Sequence, residues 1–309
     1  MNQLDVPILF VIFNRMDTAE KVFETIRQAQ PKKLYIAADG PRKNKEGEYE
    51  KCLKVRGLAD RIDWNCEVKT LFREHNLGCG KAVSGAIDWL FQNEEKGIIL
   101  EDDCLPHPDF FPYCKELLEK YRDEDKVKII SGNNFQDGIQ RGDASYYFSA
   151  YSHIWGWASW RRAWQNYDLY LENYSLKDFM RDIKPYFSSY NERQVWKDRF
   201  LVMKKRGNNT WDYQWNFHIW KQHGLCIIPN VNLISNIGFG LDSTHTDNAE
   251  DKNSNMQTKG IMPLTHPAAI EQNRQADEYF RRQNNHKSVI QLLWRSFRRT
   301  FLVKPAFDK

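Results

Sequence analysis

The sequence predicts an α/β protein built on a mostly parallel sheet flanked by helices, and three observations carry that expectation. Through residues 1–135 short β-rich runs alternate with helical patterns, the order that crossover units produce in a parallel sheet. The first run, Val6-Pro7-Ile8-Leu9-Phe10-Val11-Ile12-Phe13, is almost continuously apolar, as a strand covered on both faces should be. Arg15, Asp39, Arg73 and an acidic trio all follow directly on such runs, where open α/β sheets gather their ligands.

Each element has a local cause. After the first strand, Ala19, Val22, Phe23 and Ile26 recur at helical spacing behind a cap at Asp17 or Thr18. Residues 34–38 form a second strand that ends at the turn Asp39-Gly40-Pro41. The polar stretch 43–60 reads as a loop and a solvated helix. Residues 68–72 form a third strand leading through Arg73 to Gly78-Cys79-Gly80-Lys81, after which Val83, Ala86, Ile87, Leu90 and Phe91 share one helical face. Residues 98–100 and 128–132 are the fourth and fifth strands. From Trp155 onward the chain becomes dense in Trp and Tyr and is expected to be mainly helical, with helical patterns over 193–205 and 212–223 and short strands at 225–228 and 231–234. Residues 237–260, rich in Gly, Asn, Asp, Ser and Thr, read as a long loop.

Composition narrows the function. A formal net charge of +4 is too small to argue for a nucleic-acid partner, and none is expected. No basic N-terminal segment leads into an apolar stretch, and no apolar run is long enough to span a bilayer, so the reading is a cytoplasmic protein. The six cysteines form no CxxC pair and no zinc spacing, which fits reduced, mostly buried thiols. Aromatic residues make up 14% of the chain, with eleven Trp, and aromatic faces are one means of gripping the C–H faces of sugar rings.

The trio Glu101-Asp102-Asp103 closes an apolar strand. Three like charges there are unfavourable without a positive partner. Mg²⁺ or Mn²⁺ is a natural one, because these ions take hard oxygen ligands and need few from protein when substrate phosphates supply the rest. The competing reading is a helix start decorated with acids ahead of Asp109. Lys81 falls at a helix N-terminus, where backbone N–H groups favour phosphate, although the spacing does not match a Walker loop.

Taken in order, these residues resemble the nucleotide-sugar-dependent glycosyltransferases of the GT-A fold, N-acetylglucosaminyltransferase I and bacterial cell-surface sugar transferases among them. The resemblance runs over residues 6–250. It rests on Ile12-Phe13-Asn14-Arg15, Ala38-Asp39-Gly40, the acidic trio with Pro106 and Asp109-Phe110-Phe111, then Gly156-Trp157, Trp211-Asp212, Gly238-Phe239-Gly240 and Ser243-Thr244-His245. It implies a GT-A-like, Rossmann-related sheet with a helical, aromatic-rich C-terminal half. It further implies a hexosyl- or N-acetylhexosaminyl-transferase that inverts the anomeric centre, taking a UDP-sugar or related donor to a glycan or lipid-linked glycan acceptor of a bacterial surface polysaccharide.

The resemblance also implies roles. Asp103 would ligate Mn²⁺ or Mg²⁺, and Asp102 would face the ribose or the ion. Glu101 would orient the donor sugar or acceptor; Arg15, Asp39, Arg73, Lys81 and His245 would hold the donor. Asp212 would be the general base, or a cap of the helix it opens. Trp157 and Trp211 would touch the acceptor, although most Trp in such a run, with Trp155 and Trp160, belong to a core. A sugar-nucleotide pyrophosphorylase is the alternative enzyme, but residues 14–21 lack the glycine-rich loop it needs; a non-catalytic sugar-binding protein would lack the acids.

The expected organisation is one domain over 1–265, with a nucleotide-sugar half at 1–135 and an acceptor half at 136–265, followed by a basic extension at 266–309. In that extension Ile290, Leu293, Trp294, Phe297 and Phe301 line one helical face, fit either for an anionic membrane surface or for the body of the protein.

Overall fold

The computed structural model describes residues 3–206, 209–239 and 252–284. Four parallel strands, β1 (Ile8–Ile12), β2 (Lys33–Ala38), β3 (Glu67–Phe72) and β4 (Lys96–Glu101), are linked by α1 (Met16–Ala29), α2 (Glu48–Arg56) and α3 (Cys79–Asn93). Helix α1 buries Thr18, Ala19, Val22, Phe23 and Ile26, the stripe that its sequence spacing predicts. Helix α2 is largely exposed, as its composition predicts, and buries only Glu48, Cys52 and Val55. Its Glu48 is buried because the carboxylate accepts Arg42 N at 2.7 Å, the Asn14 amide at 3.0 Å and the Arg42 guanidinium.

The chain continues through β5 (Cys104–Pro106), α4 (Phe110–Lys120), β6 (Val127–Ser131), β7 (Tyr146–Ser149) and β8 (Trp157–Trp160). Helices α5 (Arg161–Trp164), α6 (Leu176–Asp182), α7 (Tyr190–Arg206) and α8 (Asp212–Lys221) follow, then β9 (Leu225–Pro229), β10 (Ile234–Asn236) and α9 (Arg274–Asn284). The eight-stranded sheet runs β3-β2-β1-β4-β8-β6-β9-β7 and draws strands from both sides of residue 135. Strands β8 and β7 run antiparallel to their neighbours, and β10 pairs with β5 in a separate two-stranded sheet, Asn236 opposite Cys104.

Two sequence expectations change here. Residues 157–160 are not the start of a helical run but a strand at the centre of the sheet, registered between Ile99 and Ser131 at Trp157. All four are buried, so both faces of β8 are covered and no alternation of polar and apolar residues marks it. The strand expected at 231–234 lies later, at 234–236. His245 and the amphipathic stretch around Leu293 fall outside the described residues. Among the described residues no helix is long and apolar enough to cross a membrane.

Candidate functional site

Strand order reverses between β1 and β4, because the chain steps outward from β1 to β3 and then returns to the other side of β1. Such a switch point opens a crevice at the carboxyl ends of the strands. Arg15 leaves β1 on that edge, and Glu101, Asp102 and Asp103 leave β4. Arg15 Nη2 donates to Asp102 Oδ1 at 2.6 Å and to Asp103 Oδ2 at 2.8 Å, while Phe13 N donates to Asp102 Oδ2 at 3.2 Å. Burial works against the Arg15 charge, but the two carboxylates more than offset it and hold its pKa above the ordinary value.

The segment after β10 closes on the same group. Ile237 N donates to the Asp103 carbonyl at 2.9 Å, and Arg15 Nη1 donates to the Gly238 carbonyl at 3.3 Å. Glycine lets the chain at 238 pack directly on these side chains. A Cβ there would stand 2.2 Å from Asp103 Oδ2 and 2.6 Å from Arg15 Nη1.

A cleft of about 260 Å³ lies beside this cluster. Arg15, Arg42, Lys45 and Arg73 line it with positive charge, and Glu101 and Asp102 with negative. Among the described residues Arg73 has no ion-pair partner within 4.0 Å, and burial lowers its pKa, so its guanidinium faces the cleft uncompensated except by the field of Asp39. The Glu101 carboxylate receives no hydrogen bond among the described residues. Burial, then the charges of Asp103 and Asp102, push its carboxyl up to about 8, and Asp212 adds to the same effect. Asp212, in the first turn of α8, is thus near enough for its charge to be felt at Glu101. Its carboxylate accepts from Thr210 Oγ1 rather than from a backbone N–H of the helix, so it does not cap α8. Cys79 stands among these acids at the start of α3; burial and the Glu101 and Asp212 charges push its thiol up to about 12, which keeps it protonated and inert.

Asp39 is brought to the same edge but is already engaged. Its carboxylate accepts Gly40 N at 2.9 Å, Leu77 N at 3.0 Å and Gly78 N at 3.1 Å, and so fixes the loop that leads into α3. Lys81 is exposed one turn into α3 and does not line the cleft. The free N–H of Gly80 at that helix start is taken by Asn209 Oδ1 at 3.2 Å. Trp157 and Trp211 are not contact faces. Both are buried and stack on each other with ring centroids 5.7 Å apart, so the expectation that they grip an acceptor gives way to a packing role.

Arg42, Lys45, Asn76 and Asn209 line the cleft and were missed by the sequence reading. Arg42 and Lys45 carried a signal, since they follow the Asp39-Gly40-Pro41 turn at a strand end. Asn209 carried none, because its contact with Gly80 spans 129 positions.

Among the described residues no three His, Cys, Asp or Glu side chains converge into a cage for a metal ion. The donor set suits an ion that brings other ligands with it. Asp103 Oδ1 has only a weak contact, from Cys104 Sγ at 3.5 Å, and hard oxygen ligands of this kind fit Mg²⁺ or Mn²⁺ shared with a diphosphate.

No family model and no curated protein matches the sequence. Solved structures with a similar arrangement include a mannosyltransferase from Pyrobaculum calidifontis in complex with GDP-Man and Mn²⁺, at 11% identity over 71% of this chain and 70% of that one, with a TM-score of 0.41. Mouse xyloside xylosyltransferase 1 matches at 13% identity over 70% and 81%, with a TM-score of 0.35. A UDP-glucose pyrophosphorylase without ligand matches at 11% identity over 74% and 93%, with a TM-score of 0.36. Likeness this distant decides neither reaction nor substrate.

Proposed function

We propose that the chain is a metal-dependent glycosyltransferase that moves a sugar from a nucleotide-sugar donor to a glycan or lipid-linked glycan acceptor with inversion. One observation carries the reading: a single cleft at the switch point joins a cationic wall, Arg15, Arg42, Lys45 and Arg73, to an acidic strand end, Glu101 and Asp102, where Glu101 also feels the charge of Asp212 on α8. That division matches what displacement of a nucleoside diphosphate requires, namely charge to receive the leaving group and a base for the attacking hydroxyl.

Arg73, Lys45 and Arg42 bind the diphosphate side of the donor. Asp103, with Asp102 beside it, would hold Mn²⁺ or Mg²⁺, and the ion when bound supplies Lewis-acid neutralisation of the departing diphosphate. Arg15 sets the spacing of those two carboxylates and balances part of their charge. Asp39 shapes the Leu77–Gly78 loop against which the nucleotide rests. Glu101, at the end of β4, orients the donor sugar or the acceptor through a hydroxyl. Asp212 accepts the acceptor hydroxyl proton as that oxygen attacks the anomeric carbon from the face opposite the diphosphate. The segment entering at Ile237–Phe239 limits water on one side of the acids.

Nucleotide sugars should raise the melting temperature more with Mn²⁺ than without it, because a ligand that binds only the folded state stabilises it by mass action. In Asp103→Ala the Mn²⁺-dependent part should vanish; if it persists, the cation site is elsewhere. Asp212→Asn should keep that stabilisation and lose transfer by about a hundredfold or more. A normal transfer rate would remove Asp212 as base. Formation of a nucleotide sugar with release of pyrophosphate from a nucleoside triphosphate and a sugar 1-phosphate would favour the pyrophosphorylase alternative.

A further inference from the structure

Of the tryptophans at 155, 157, 160 and 164, only Trp155 is not buried. It sits on the loop between β7 and β8. The ring of Phe239 meets it edge-on with centroids 5.8 Å apart, and Phe135 backs it at 5.1 Å in the same manner. Phe239 directly follows Gly238, the residue wedged against Arg15 and Asp103, so this half-exposed aromatic pair borders the acids. The loop is also tied to the helix that carries Asp212. Ser152 N donates to Asn216 Oδ1 at 3.0 Å, and Asn216 Nδ2 donates to the Asp212 carbonyl at 3.2 Å.

Polar groups without partners accompany the rings. Asn133 is fully buried, yet neither its side-chain nitrogen nor its oxygen has a hydrogen-bond partner, and the Ser152 hydroxyl is likewise unpaired. Asn133 lies between two points fixed on the Trp155 loop: Gly132 N donates to the Gly156 carbonyl at 2.8 Å, and Phe135 packs on Trp155. A buried amide left without a partner is costly, and a fully buried one of this kind is the setting of an internal water that stiffens the Trp155 loop. A half-exposed aromatic face bordering the acids complements the apolar C–H face that a pyranose presents.

We propose that the Trp155 face, walled by Phe239, is the subsite that grips the saccharide ring of the acceptor. The inference rests on the glycosyltransferase reading for the identity of its ligand as acceptor. Trp155 and Phe239 do not line the donor cleft of Arg73 and Lys45, and they reach the acids through Gly238 and α8 through Asn216.

The test uses the full chain and a panel of methyl glycosides of common hexoses and N-acetylhexosamines, read by saturation-transfer NMR. At least one glycoside should receive saturation in the wild type, strongest on ring C–H protons. Trp155→Ala should weaken that contact about tenfold and Trp155→Phe should restore most of it, in line with the worth of one aromatic contact plus its buried area. No transfer to any glycoside in the wild type overturns the proposal, whatever becomes of the variants. So does an undiminished signal in Trp155→Ala, or a loss that Trp155→Phe does not recover. Nucleotide-sugar melting shifts measured on the same wild-type samples keep the two readings apart: their absence removes the donor site, while glycoside contact at Trp155 is judged independently.

Discussion

At the scale of single residues, the imbalance of charge around Glu101 has a measurable consequence. Its carboxyl rises from an ordinary 4.5 to about 8 on folding, through burial and then the Asp103 and Asp102 charges. Between those values the folded chain binds more protons than the unfolded one, so stability falls as pH rises through that window. The denaturant midpoint of the protein without metal should therefore decline from roughly pH 5 to pH 8, and Glu101→Gln should flatten the decline. An identical slope in the variant would show that another group carries it. Adding Mn²⁺ with a nucleotide should oppose the decline, since the cation favours the ionised acids. These residues were legible in the sequence because they are contiguous, acidic and set at the end of an apolar strand. The cations opposite them were only partly legible: Arg15 and Arg73 follow strands directly, whereas Lys45 reaches the cleft from a loop whose course the sequence does not dictate.

At the scale of elements, the parallel strands were readable, β6 and β9 included, and the antiparallel strands β7 and β8 were not. Strands β1, β2 and β4 lie inside the sheet, so each is a nearly unbroken apolar run bounded by turn residues. Strand β8 is as deeply buried but only Trp-Ala-Ser-Trp, too short to display a period and rich in a residue that also suits helices and cores. Strand β7 has a similar problem and an added support. Helix α9 holds it through Asp277, whose carboxylate accepts Ser149 Oγ at 2.5 Å, Ala150 N at 3.0 Å and Gln272 Nε2 at 2.7 Å. A contact between residues 128 positions apart leaves no local trace. Asp277→Ala would leave a buried hydroxyl and a buried N–H without an acceptor, at a cost of about 2–4 kcal/mol in urea unfolding. A change below about 0.5 kcal/mol, the range of ordinary surface substitutions, would mean that α9 contributes little to the end of the sheet.

At the scale of the whole molecule, the distribution of charge sets an expectation for where the protein works. Residues 285–309 hold six Lys and Arg and one Asp, a balance of +5, against +4 for the entire chain, so residues 1–284 sum to −1. The positive character of the protein thus resides in its last stretch, where Leu293, Trp294, Phe297 and Phe301 recur at helical spacing. A body close to neutral with a cationic, aromatic tail suits an acceptor held at an anionic lipid surface, since each Lys or Arg there contributes on the order of 1 kcal/mol and aromatic side chains settle at the interface. The full chain should sediment with vesicles containing a third anionic lipid at low salt and be released as ionic strength rises. Deletion after Asn284 should reduce that binding at least tenfold while the melting temperature stays near the wild-type value. If the truncated chain sediments as well as the intact one, or if the deletion lowers the melting temperature sharply, the stripe serves the body of the protein and the route to a lipid-linked acceptor must be sought elsewhere on its surface.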